Sequence, residues 1–230
     1  MVRNPLWFLF IFFGMLSCNE KPTFPTTPII ELNEFYFKDI ANLSLDSLVL
    51  KVKFEDGDGD LGLESFETAP PYQLLDVVTS GPPNFDTVRY GDPNTPAYDC
   101  VNYEIIRKES SVNDSLVVTA DTILVERNLD HFNIFLDFLI KTDDGSFRVF
   151  NPALERNCAP PYHGRYFVLN TARDIRPLEG ELQYSLVSGF LLLFRNDIIK
   201  IRVQIQDRSL NKSNVIETEE FRIFDIIREP

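Results

Sequence analysis

The chain has 230 residues with 22 Lys+Arg against 35 Asp+Glu, a net charge of −13 and a pI near 4.6. So acidic a balance repels nucleic-acid phosphates and anionic headgroups, which argues against a nucleic-acid partner or a polybasic membrane patch. Hydrophobic content of 44% with 25% charged residues is that of a chain that folds, and its length permits one large β domain.

The N-terminus carries Arg3 followed by an uncharged apolar run, Leu6 to Leu16. That run is about half the roughly 20 residues a spanning helix needs, so residues 1–17 read as an export signal rather than an anchor. Met15-Leu16-Ser17-Cys18 resembles the bacterial lipobox, which implies cleavage before Cys18 and lipid attachment to it. An ordinary cleaved signal with an incidental cysteine is the alternative. Removing residues 1–17 takes away Arg3 and no acid, so the body stays acidic. Residues 18–28 hold three prolines among short polar side chains and read as a flexible tether between the lipid and a folded body over 29–230.

Beyond the tether the dominant period is two. Leu48, Leu50, Val52 and Phe54 share one face while Lys51 and Lys53 take the other, and Ile199, Ile201, Val203 and Ile205 alternate with Lys200, Arg202 and Gln204. Both are half-buried strands. Ile134, Leu136, Phe138 and Ile140 precede the turn Asp143-Asp144-Gly145-Ser146, after which Phe147 and Val149 resume alternation, which predicts a hairpin. Further strands are expected over 29–38, 85–90, 100–108, 115–126, 164–170, 181–194 and 214–224. No stretch sustains a helical apolar stripe, so the fold class is all-β: an antiparallel two-sheet sandwich. Proline pairs at 70–71, 82–83 and 160–161 mark irregular connections, and residues 64–98 form a long Pro-rich insertion.

Between the second strand and that insertion lies Glu55-Asp56-Gly57-Asp58-Gly59-Asp60-Leu61-Gly62-Leu63-Glu64-Ser65-Phe66-Glu67, with six acids and no base. Alternating Asp and Gly lets several carboxylates converge from one tight turn, and Ca²⁺ takes six to eight such oxygens. On the EF-hand template Asp56, Asp58 and Asp60 take positions 1, 3 and 5, the Gly62 carbonyl position 7, Glu64 position 9 and Glu67 position 12. Leu61 stands where the template requires Gly, and a strand rather than a helix leads in, so this is no EF-hand. The expectation is a calcium loop of Asp-x-Asp-x-Asp type on a β scaffold; the alternative is a solvated acidic turn.

With Cys18 lipidated, Cys100 and Cys158 remain, an even number in an oxidising compartment, which predicts a disulfide. It would contribute about 4 kcal/mol through loop entropy. A Cys2His2 zinc site with His131 and His163 is the alternative, although the spacings match no zinc-finger pattern. Neither histidine sits in a nucleophile elbow or a His-Glu-x-x-His helix, so no catalytic residue is assigned. Tyr72, Phe85, Tyr90, Tyr98 and Tyr162 lie in the connections and are either a recognition surface or loop packing.

The segment Val49 to Gly62, ending in Asp56-Gly57-Asp58-Gly59-Asp60-Leu61-Gly62, resembles a signature near the N-terminus of uncharacterised lipoproteins from Bacteroidota. Ile199 to Asn214 is similar to the late strands of bacterial immunoglobulin-like and fibronectin-like modules. The resemblance implies an Ig-like sandwich on a cell-envelope, outer-membrane lipoprotein, and it implies no activity. Only Glu20 follows Cys18 closely as an acid, so periplasmic-facing and surface-exposed placements both remain open. The sequence thus points to a lipid-anchored, non-enzymatic binding or assembly module for an envelope protein or glycan; the alternatives are an envelope hydrolase of glycan or peptide, and a structural spacer.

Overall fold

The computed structural model describes residues 23–39, 46–112, 115–170, 176–187 and 193–228. The expected export signal over 1–17, Cys18 and the start of the expected tether lie outside the described residues. Two four-stranded sheets form the body. The first runs β11-β1-β2-β8, with β1 (Ile29–Lys38), β2 (Ser47–Asp56), β8 (Leu178–Val187) and β11 (Ile227–Arg228). The second runs β10-β9-β6-β7, with β6 (Ile134–Lys141), β7 (Phe147–Val149), β9 (Ile199–Ile205) and β10 (Ile216–Glu217). Apart from the parallel β1–β11 contact, the pairs are antiparallel. In immunoglobulin lettering β1, β2 and β8 correspond to A, B and E, and β6, β9 and β10 to C, F and G.

One buried cluster joins the sheets: Ile30, Phe37, Leu50, Val52 and Leu182 from the first, Ile134, Leu136, Phe138, Ile201, Val203 and Ile205 from the second. The alternation seen in the sequence therefore faces inward on both sides. In β1 the pairing with β2 shifts between Leu32 and Glu34, which puts Ile30 and Phe37 on the same buried face although their spacing is odd.

A third sheet, β3-β5-β4, is built from β3 (Leu75–Val77), β4 (Tyr103–Val112) and β5 (Ser115–Arg127). It belongs to the insertion between β2 and β6 and has its own apolar centre of Tyr103, Ile123 and Val125. Tyr90 and Tyr98 pack on Tyr103 with ring centroids 5.5 and 5.6 Å away. The segments 85–90 and 164–170, expected as strands, make only isolated bridges such as Thr79 with Thr87 and Ile134 with Gly164. Of 214–224 only Ile216–Glu217 is strand. In these segments the side chains are bonded to irregular neighbours: Asn214 holds both the N–H and the carbonyl of Ile30. A lone side-chain clamp of this kind replaces the ladder that periodicity alone would suggest.

Cys100 and Cys158 form a disulfide with Cα atoms 5.8 Å apart, tying the insertion to the connection after β7. Both thiols are thereby used, which removes the zinc alternative.

Candidate metal centre

Two strands of the body end at the same place. In β2 the inward positions Leu48, Leu50, Val52 and Phe54 are followed, two residues on, by Asp56; in β9 the inward series Ile199 to Ile205 is followed by Asp207. Each strand therefore delivers a carboxylate on its buried face, and both are essentially excluded from solvent, at 0% and 1% exposure. Such burial is costly for an acid without compensating cations or donors.

The residues after Asp56 are held too tightly to be a free turn. Gly57 donates to the Pro25 carbonyl at 2.7 Å, Leu63 donates to the Tyr166 carbonyl, and Leu169 donates to the Leu61 carbonyl. Leu61 bridges Asp207 and is itself a fully buried member of the core. The hydrophobic residue that breaks the EF-hand pattern is thus what fastens the loop down. A Cβ at Gly57 would lie 2.2 Å from the Phe24 carbonyl oxygen, one at Gly59 2.0 Å from that of Arg176, and one at Gly62 2.3 Å from that of Phe167. Glycine is required at these positions by backbone approach, and at Gly59 and Gly62 also by φ of +67° and +103°.

The result is a convergence of Asp56, Asp58, Asp60 and Asp207, each with a carboxylate oxygen within 4.8 Å of the others. Some of their oxygens are bonded: Asp56 Oδ2 accepts from the Asp60 N–H, Asp60 Oδ2 from the Ser209 hydroxyl, and Asp207 from the Asn211 N–H and side-chain amide. Among the described residues Asp56 Oδ1, Asp58 Oδ1 and Asp60 Oδ1 are buried with no hydrogen-bond partner. The Tyr166 hydroxyl is buried and likewise unpartnered, and the field of Asp56, Asp207 and Asp60 reaches it. Tyr166 is positioned from behind by Asn133, whose side chain bonds both its N–H and its carbonyl.

Burial, the shared contact with Asp58 and the neighbouring carboxylates push Asp56 up to about 7. Asp60 and Asp207 are also raised, first by burial. Three acids raised together in an all-oxygen pocket describe a group that wants a positive charge. This cluster could hold a metal ion.

Not every residue expected of the site is in it. Glu67 is turned away into a bidentate pair with the Arg208 guanidinium, which holds its carboxyl below the usual range. The Gly62 carbonyl faces the same guanidinium at 3.5 Å. Glu64 contributes its N–H to Glu67 and lies outside the group of four. Asp207 takes their place. Its partners Asp56 to Asp60 are some 150 positions earlier, and only closure of the sandwich brings them together. A signal was nevertheless present: an acid on the inward parity at the end of each of the two cleanest strands.

The histidines are elsewhere. His163 Nδ1 accepts from the Leu136 N–H, its ring packs against Phe132 and Phe135, and burial lowers its pKa. His131 Nδ1 lies 2.9 Å from the Tyr72 carbonyl. Of the loop aromatics, Tyr162 packs on Phe138 and Tyr72 bonds the Arg208 carbonyl, whereas Phe85, Tyr90 and Tyr98 are exposed. Comparison with protein-family models, curated proteins and solved structures finds no match to this chain.

Proposed function

We propose that the protein is a calcium-stapled β-sandwich that serves as a non-enzymatic binding or assembly module of the cell envelope, tethered through lipidated Cys18. The observation that carries the calcium reading is the set of three buried, unpartnered carboxylate oxygens on Asp56, Asp58 and Asp60 beside Asp207. A hard oxygen set of four carboxylates with no His or Cys suits Ca²⁺, whereas Mg²⁺ keeps several waters and takes fewer protein carboxylates. Bound calcium would offset the mutual repulsion of the acids and join the loop after β2 to the turn after β9, one from each sheet. The lipobox at Met15 to Cys18 supports the envelope placement, and the resemblance to Bacteroidota lipoproteins supports it further. The exposed Phe85, Tyr90 and Tyr98 support a recognition role for the insertion toward an envelope protein or glycan.

Thermal melts of the purified protein in EDTA, in millimolar Ca²⁺ and in millimolar Mg²⁺ test the metal reading. A rise of several degrees in Ca²⁺ well beyond that in Mg²⁺ is expected. Identical melts in all three would refute it.

A further inference from the structure

Resting on that calcium reading, we propose that the cation also controls how firmly the inserted arm is fastened to the sandwich, through Arg208. One observation besides the acids themselves marks the metal position: the buried, unpartnered hydroxyl of Tyr166, which lies in the field of Asp56, Asp207 and Asp60.

The turn after β9 serves the metal cluster and the arm at once. Asp207 belongs to the cluster, and Ser209 bonds Asp60. Between them the Arg208 N–H donates to the Asp60 carbonyl at 3.3 Å. The Arg208 side chain points the other way, to the root of the insertion. Its guanidinium grips both oxygens of Glu67, and its carbonyl accepts from the Tyr72 hydroxyl at 2.6 Å. The Glu67 carboxylate in turn accepts from the Glu64 N–H, and its carbonyl from Arg165. Residues 62–72 are therefore held by Arg208 together with Tyr166, Arg165 and His131, and of these Arg208 is the one that directly follows a member of the acidic cluster.

Farther along, the insertion is fixed differently: Cys100 is covalently joined to Cys158. The disulfide does not depend on a cation, while the Arg208 clasp sits on a turn that four crowded carboxylates push apart. Without calcium, Asp207 and Asp60 move away from each other, Arg208 is carried with them, and residues 62–72 loosen while the disulfide keeps the arm attached. Calcium thus sets the order of the arm root at a distance from the ion, which is a coupling free energy between two places.

Hydrogen exchange of the whole protein, with and without Ca²⁺, reads this directly. Amides at the arm root, such as Glu67 and Tyr72, are expected to exchange roughly tenfold more slowly in Ca²⁺, while those of β6 and β9 change far less. In Arg208→Ala that slowing is lost, although calorimetric Ca²⁺ affinity stays within about threefold of the parent. Glu67→Gln, which leaves Arg208 in place, is expected to show the same loss and covers the case in which Arg208→Ala fails to fold. If Ca²⁺ binds but exchange at residues 62–72 does not respond, the coupling is wrong and the metal site stands. If Ca²⁺ does not bind, both readings fall.

Discussion

The protein contains two Asp/Gly turns that look alike on paper, Asp56-Gly57-Asp58-Gly59-Asp60 and Thr142-Asp143-Asp144-Gly145-Ser146, and they have opposite physics. At the second, Asp144 Oδ1 accepts from the Thr142 hydroxyl and from the Ser146 N–H and hydroxyl, which lowers its pKa to about 2. A Cβ added at Gly145 would meet nothing within 4 Å. At the first, Asp56 is pushed up to about 7, its Oδ1 lacks a partner, and the glycines are pressed against backbone carbonyls. One turn satisfies its own acid with local donors. The other gathers acids faster than it supplies donors, the arrangement expected of a cation site rather than of a self-contained turn.

The largest expected contrast is steric. Gly62→Ala places a methyl against the Phe167 carbonyl at positive φ and should cost more than about 3 kcal/mol in urea denaturation. Gly145→Ala keeps only the conformational penalty, about 1 kcal/mol. Equal costs would mean that the acidic loop is not packed as described.

Next comes the metal response. At calcium a hundredfold above Kd the native state should gain about 2.7 kcal/mol, or roughly 5–10 °C in Tm. Asp56→Asn and Asp207→Asn should abolish that gain, and Asp144→Asn should leave it intact. In EDTA the order should invert, with Asp56→Asn melting above the parent because one buried, repelled charge has gone. An Asp56→Asn protein that is less stable than the parent in EDTA would argue that the carboxylate is held by protein donors after all.

The last contrast is the pH dependence, and its sign separates the turns. Asp56 binds its proton more tightly folded than unfolded, so in EDTA its contribution to stability falls as pH rises from about 4 to about 7. Asp144 is the reverse: its contribution is present above its ordinary value near 3.8 and is lost as pH falls toward 2. The stability gap between the parent and Asp56→Asn, followed from pH 4 to 8 without metal, should widen with pH, while that for Asp144→Asn should stay flat over this range.

Much of this architecture was legible beforehand. The period-two segments 48–54, 134–140 and 199–205 fall within strands as observed, because each buries one face and alternation is the direct imprint of that. The disulfide followed from cysteine parity. The segments 85–90 and 164–170 misled because their apolar residues pack as irregular chain held by single bridges. At the acidic loop, local spacing found Asp56, Asp58 and Asp60 but proposed Glu67, whose partner Arg208 lies 141 positions away. Asp207 shows the same limit, since no local template contains a residue from the other sheet. What the sequence did hold was parity: an acid continuing the buried face of β2 and another continuing that of β9.

The most direct test is a calorimetric titration of the metal-stripped protein with Ca²⁺, repeated on Asp207→Asn. One calcium per chain is expected for the parent, with Mg²⁺ far weaker, and loss of that binding in the variant. An absence of binding in the parent, or unchanged affinity in Asp207→Asn, would contradict a centre shared between the two sheets.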